Sequence, residues 1–308
     1  MAFSIQDNFI IANYHYVENS RPDFSGIHPC SVQEFERQIS FFAEHFSFVS
    51  VPELFAAAQH NENKKCCAIT FDDGLKDQYD NAAPVLKKYN ASATFFIITA
   101  TLQGRVPLAH KIHTVTSRIP MNDLREKFNL FLASDFPDFT EYLIPKDRRL
   151  TDKRRYDDII SANVKEAFTI IPRKVSDAFL AKCLGELKFD EWELAKKLFM
   201  SLQEIQTLDK DGFFIESHTH NHYDLSGANL NVQRDDFDAA EKVFKKMVGR
   251  SPKIMAYPYG RPPETDEVLH EYGFRHAVTV EARVVSDADN PLRIPRFDTN
   301  DIKIFLDT

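Results

Sequence analysis

Cysteine is the first thing this sequence has little of. Its four cysteines, Cys30, Cys66, Cys67 and Cys183, show no Cys-x-x-Cys spacing. Cys66 and Cys67 are adjacent in a strand-like run, where successive side chains face opposite ways, so they are poor partners for each other. Buried free thiols in a reducing compartment are the expectation. Positive charge is also short: 38 Lys and Arg against 46 Asp and Glu leave a net charge of −8. That argues against a broad nucleic-acid or anionic-membrane surface. No apolar run reaches the length of a membrane span. Met1 to Ile11 carries no basic stretch followed by a long apolar one, so no secretory signal is expected and cytoplasmic residence is. Internal repeats and low-complexity segments are missing too. What is there, 43% hydrophobic and 27% charged residues over 308 positions, suffices for one large α/β domain.

Two stretches carry chemistry. The apolar run Cys66-Cys67-Ala68-Ile69 reads as a short buried strand, and Thr70-Phe71-Asp72-Asp73-Gly74 follows, with Gly74 letting the backbone turn away. Adjacent carboxylates on an extended chain face opposite sides, so one could hold a cation while the other takes a proton. Alone, Asp-Asp-Gly is an ordinary solvated turn. The second stretch changes that reading. Phe213-Phe214-Ile215 reads as another strand, and Glu216-Ser217-His218-Thr219-His220-Asn221-His222 sets three imidazoles among small polar residues. His218 and His222 are four apart, a spacing that brings both rings to one side of a single helical turn. Neutral imidazoles suit zinc and similar divalent metals, and one carboxylate completes a three-ligand site open to water.

At these residues the chain resembles the polysaccharide deacetylases, the NodB-homology or carbohydrate esterase family 4 group. Thr-Phe-Asp-Asp-Gly at 70–74 is similar to the first family motif and His-Thr-x-x-His at 218–222 to the second. Ala256-Tyr257-Pro258-Tyr259-Gly260 is similar to the third. Tyr14-His15 with Val17, and Leu292-Arg293-Ile294-Pro295-Arg296, also resemble segments of many members. The resemblance spans roughly residues 9–100 and 200–300. It implies an α/β fold, a distorted (β/α)7 barrel, and a divalent metal on Asp73, His218 and His222. Zinc is the first expectation, and cobalt, nickel or iron could accept the same ligands. Asp72 would be the general base, and the backbone N–H of Tyr259 would meet the oxyanion in a turn fixed by Pro258. His15, Tyr257 and Pro258 are expected against substrate.

Two departures stand out. Ala256 occupies the position where the family commonly has an arginine that orients the base; Arg296, or failing that Arg293, is expected to supply the charge. The family's Leu-x-His motif has no histidine here, since Ile294 follows Leu292 by two, which leaves His15, His276 or a metal-bound water as general acid. The resemblance implies removal of an N-acetyl group from a small or oligomeric acetamido carbohydrate, with no nucleic-acid partner and self-association left open. The alternatives are a C–N hydrolase of a ureide or cyclic imide, and a non-catalytic carbohydrate-binding relative.

Along the chain, strands are expected at Phe9-Ile10-Ile11-Ala12-Asn13-Tyr14, at 46–49, 93–99, 253–257 and 276–280, alternating with helices. Ser31 with Glu34 forms a capping-box pattern, Ser50 to Glu53 starts a second helix, and helices are expected at 80–89, 233–248 and 262–272. The rhythm breaks over about 101–198, a charged, helix-rich insertion within a single 1–308 domain, containing the basic clusters Asp147-Arg148-Arg149 and Lys153-Arg154-Arg155. It could serve as lid, specificity element, oligomer contact or surface decoration. His110 and His113 within it could form a second metal site, or be surface histidines.

Overall fold

Parallel pairing governs the sheet. The computed structural model describes residues 8–21, 27, 29–151 and 157–307, so the basic cluster Lys153-Arg154-Arg155 lies outside the described residues. Among these, the strands are β1 (Phe9–Tyr14), β2 (Ser47–Phe48), β3 (Cys66–Phe71), β4 (Ala93–Ile97), β5 (Phe214–Ser217), β6 (Ile254–Ala256), β7 (His276–Val278) and β8 (Phe297–Asp298). They pair in the order β7-β6-β5-β4-β3-β1-β8, with β2 beside the start of β3. Ile294 bridges Val278 while Phe297 pairs with Ala12, so the segment 294–298 stands between β7 and β1 and closes the curl. This is the distorted seven-stranded barrel that the resemblance implies.

The period-2 alternation decides what each strand residue faces. Ile10, Ala12 and Tyr14 of β1 and Cys67, Ile69 and Phe71 of β3 pack with Phe35, Ile39 and Phe42 of a helix, α1 (Val32–His45). Phe9 and Ile11, with Cys66 and Ala68, join a second cluster containing Phe96, Ala256, Val278 and Ile294. Cys66 and Cys67 therefore do face opposite ways, and all four cysteines are buried and free. The next inward positions are polar, Asn13 on β1 and Thr70 on β3, both buried. The inner face of the barrel thus turns from apolar to polar toward the strand ends.

The remaining helices are α2 (Val51–Gln59), α3 (Ala83–Lys88), α4 (Leu108–Thr116), α5 (Met121–Asp135), α6 (Ile159–Ile170), α7 (Arg173–Glu186), α8 (Glu191–Leu198), α9 (Leu202–Lys210), α10 (Leu230–Val248), α11 (Glu267–Glu271) and α12 (Thr299–Asp307). Ser50 and Glu53 form a complete capping box on α2. The Ser31 box is only half made: Ser31 accepts from the Glu34 N–H, but the Glu34 carboxylate turns to Arg37 and Gln38. α10 begins earlier than expected because Asn229 caps it. α11 is shorter than expected. It starts only at Glu267, past the Pro262-Pro263 pair, and a residue before proline is biased away from the helical region.

The chain divides into two compact units. One contains the barrel strands. The other has Val106–Leu194 as its main part, where α5 packs on α6 and α4 on α7. Its core holds Phe128 against Phe168 and Phe179, each with ring centroids 5.0 Å away. His110, expected at the surface or on a metal, is buried there, and the described residues of this unit hold no cluster of metal-binding side chains. The reading of His110 as a surface residue is corrected: it lies on the inward face of α4 with Leu108, Ile112 and Val115.

Candidate active site

The C-terminal strand ends, where loops of a parallel barrel converge, hold the acid pair. Asp72 follows β3 and is buried. A guanidinium fork grips it: Arg296 Nη1 donates to Oδ1 and Nη2 to Oδ2, both at 2.8 Å. Arg296 comes from the segment that closes the barrel and is 1% exposed. Its remaining donors reach Thr279 O at 2.8 Å, Asn13 Oδ1 at 2.9 Å and Thr70 Oγ1 at 3.1 Å, and the group lies over the Phe96 ring. Burial by itself pushes the Asp72 carboxyl up, but the Arg296 charge, with His218 and His15, outweighs it and holds the group at about 2. Asp72 is therefore ionised at neutral pH. His15, 39% exposed, brings Nε2 to 3.8 Å from Asp72 Oδ2. Arg293, the other expected arginine, is engaged elsewhere, with Asp266 at 2.7 Å and Tyr257 Oη at 3.1 Å.

Asp73 leaves the strand in a left-handed conformation, φ +76°, followed by Gly74 at +71°. A non-glycine residue there is strained, and this turn points its carboxylate to the two imidazoles. Asp73 Oδ1 lies 3.4 Å from His218 Nε2 and 3.5 Å from His222 Nε2. The three side chains are buried and their donor atoms lie within 4.8 Å of one another. His218 Nδ1 donates to the Ala256 carbonyl at 2.7 Å. A carbonyl only accepts, so in the neutral ring the proton is on Nδ1 and Nε2 presents a lone pair. Two lone pairs face each other there, an arrangement that calls for a cation between them. One carboxylate oxygen and two imidazole nitrogens fit a divalent metal of the zinc type. Burial pulls the His218 pKa down, while Asp72 and Asp73 push it up further, so the net shift is upward.

The two rings do not meet through a helical turn, as their spacing suggested. Residues 218–222 form a loop in which Thr219 (φ +66°) and His222 (φ +55°) are both left-handed. Ser217 Oγ accepts from the Thr219 N–H and Thr219 Oγ1 from the His222 N–H. The third ring, His220, turns from the metal triad to Thr99 Oγ1 at 2.8 Å, and burial lowers its pKa. The loop is clamped by Asp236 of α10, whose carboxylate accepts from the N–H groups of His220 and Asn221 and from Asn221 Nδ2 at 2.7–2.9 Å. Asp236→Ala would strand these donors. We expect a loss of at least about 2 kcal/mol in urea unfolding and about 10–100-fold weaker metal binding by titration.

Tyr259 is left-handed at φ +58°, and its ring packs edge-on against His222 at 4.8 Å. Pro258 is buried in the same turn. Tyr257 does not reach substrate space, which corrects that expectation: alternation from Ile254 sends it outward into a cluster with Phe237, Val268 and Leu292, where its hydroxyl donates to Leu292 O. His276 is corrected likewise, because it starts β7, pairs with Ile254 and packs on Phe55, at the opposite strand ends. A Cβ on Gly260 would come within 2.2 Å of Val280 Cγ2, at φ +66°. Gly260→Ala should therefore cost about 2–4 kcal/mol in thermal or urea unfolding. Adding Val280→Ala removes both γ-methyl contacts but keeps the Val280 Cβ at 2.9 Å, so it should recover only part of the clash cost and none of the backbone cost.

Sequence reasoning missed Asn13, Thr70 and Asp236. The first two carried a signal as polar residues on the inward register of buried strands. Asp236 carried another: it shares the buried face of α10 with Gln233, Phe237 and Ala240.

Comparison with known proteins places this geometry in context. The family model described as polysaccharide deacetylase matches residues 59–116 and 154–277. YxkH of Bacillus subtilis (strain 168) is 22% identical over 258 residues, 82% of this chain and 60% of that protein, so the chain spans less than two thirds of that relative's length. The poly-beta-1,6-N-acetyl-D-glucosamine N-deacetylase of Staphylococcus aureus (strain MRSA252) is 22% identical over 296 residues, 92% of this chain and 72% of that protein. Among solved structures, Streptococcus pyogenes deacetylase PplD in complex with acetate aligns with TM-score 0.59 and 20% identity, covering 94% of this chain and 91% of that one.

Proposed function

The chain belongs to the polysaccharide deacetylase family, and from that premise we propose that it is a metal-dependent hydrolase removing an N-acetyl group from an acetamido carbohydrate, small or oligomeric. One observation carries this reading. A three-donor cluster (Asp73, His218, His222) stands beside a second carboxylate, Asp72, that is held by a different partner, Arg296. Those are the two separate tasks that amide hydrolysis sets. A divalent cation on the triad, zinc in our reading, supplies when bound a water of lowered pKa and a Lewis acid for the amide carbonyl.

The chain's own groups do the rest. Asp72 takes the proton of the attacking water, and the Arg296 fork stops its carboxylate from rotating and keeps it ionised. A carbon–oxygen bond forms, the carbon–nitrogen bond breaks, and the leaving amine needs a proton. His15 is the donor we assign, since it is partly exposed and 3.8 Å from Asp72, across which the proton can be returned. The backbone N–H of Tyr259 is assigned to the oxyanion, and its ring walls the site beside His222. The name of the Staphylococcus aureus relative makes oligomers of β-1,6-linked N-acetylglucosamine the first probe. Metal-loaded protein should release acetate and free amine in equal amounts. Opening of a ureide or cyclic imide in place of acetate release would contradict the sugar assignment. Bound metal without turnover on any amide would mark a non-catalytic relative. Cytoplasmic residence is part of the same proposal, and the four buried free thiols are in keeping with it.

A further inference from the structure

Just past the acid pair the chain enters a helix that widens into a π turn at Gln78–Ala82, where the Ala83 N–H reaches back to Gln78 O, before α3 begins. Such turns are rare and concentrate at functional sites. Here the turn and the residue before it aim three polar side chains at the loop after β1. Gln78 Nε2 donates to two carbonyls, Asp72 O at 2.6 Å and His15 O at 3.0 Å. Asn81 Nδ2 donates to Val17 O at 2.8 Å, and the Asp77 carboxylate accepts from the Val17 N–H.

Gln78 is 0% exposed, and its Oε1 has no hydrogen-bond partner among the described residues. A buried acceptor left unmatched is costly, so an apolar side chain of similar volume would serve packing better. What an apolar side chain could not do is tie two carbonyls to one nitrogen. The amide orientation is settled by those carbonyls, because both only accept and Oε1 would repel them.

We propose that Gln78 is a positioning residue for the His15–Asp72 pair: by fastening the backbones of both residues to one amide nitrogen, it sets the separation across which their proton passes. This inference rests on the role given to His15 above. The π turn is the seat of the device, since it brings Gln78 and Asn81, with Asp77 before them, to one side of the helix.

Gln78→Met keeps the volume and removes both bonds. Gln78→Glu keeps the shape but, as a buried neutral carboxyl, leaves a single O–H donor for the two carbonyls. In crystal structures of these variants the His15 Nε2 to Asp72 Oδ2 distance should lengthen from 3.8 Å; an unchanged distance in Gln78→Met overturns the proposal. In kinetics, Gln78→Met should lower kcat by about 10²-fold with KM unchanged. In a His15→Asn background it should have no further effect. An equal loss in both backgrounds would show a merely structural role and also overturn the proposal. Should neither variant fold, Gln78→Asn, one methylene too short to reach both carbonyls, must lengthen the same distance, and an unchanged distance overturns the proposal. The structural arm needs no turnover, so failure of the hydrolase reading is told apart from failure of this one.

Discussion

Asp72→Asn should lower kcat by about 10²–10⁴-fold, the range for removing a positioned general base, while the protein still takes up one equivalent of metal. The reason is the division of labour at the strand end. Asp73, not Asp72, approaches the two imidazoles, so the triad survives the substitution. The amide cannot accept a proton at neutral pH, and the Arg296 fork loses the charge it was built around. Folding must be checked by circular dichroism, because a guanidinium that is 1% exposed then faces a neutral partner. Kinetics on the folded fraction and metal content by mass spectrometry decide the matter together. Loss of metal along with turnover would mean that Asp72 is a ligand, and full turnover would mean that it is not the base.

Arg296→Met carries the second large effect, on stability as well as activity. Removing one partner of a buried ion pair leaves the other charged and unsolvated, which costs about 3–5 kcal/mol. The pH dependence should change sign. In the wild type the Asp72 carboxyl is depressed to about 2 from its ordinary 3.8. Its contribution is therefore present above the ordinary value and is lost as pH falls toward 2. Without Arg296, burial outweighs what remains, the carboxyl rises above its ordinary value, and ionisation then opposes folding. Urea unfolding at several pH values between 3 and 7 should show the gap between wild type and variant widening as pH rises. Other carboxylates cancel in that difference. A gap that is flat with pH would show that the two groups are not coupled. The double variant Asp72→Asn with Arg296→Met should recover part of the lost stability, since no bare charge is left behind.

Much of this was legible from residue order, for reasons that differ from place to place. Asp72 and Asp73 do meet different partners, but through the left-handed turn at Asp73 beyond the end of β3 and not through the strand alternation expected; alternation counted from Ile254 does account for Tyr257 facing outward. The resemblance supplied the barrel, and Ala256 in the third motif pointed to a late arginine. Arg296 lies against Asp72 because segment 294–298 closes the curl between β7 and β1, a long-range pairing with no local signature. The histidine loop shows the opposite case. Its residues stand out in the sequence, yet the helical spacing was the wrong reason, because two left-handed residues and a carboxylate on α10 shape it. The clamp of Gln78 on the His15 loop is hidden for a similar cause: a π turn arises where tertiary hydrogen bonds favour it, and amino-acid propensity gives little notice of it.

The central claim is that Asp73, His218 and His222 hold one cation beside Asp72. An anomalous difference map at the zinc edge, from crystals grown with zinc, tests it most directly. The account predicts one strong peak about 2.0–2.2 Å from Asp73 Oδ1, His218 Nε2 and His222 Nε2, with the Asp72 carboxylate still in its arginine fork. A fully loaded crystal whose zinc lies on other side chains, or whose Asp72 has left Arg296 to bind the ion, would contradict it.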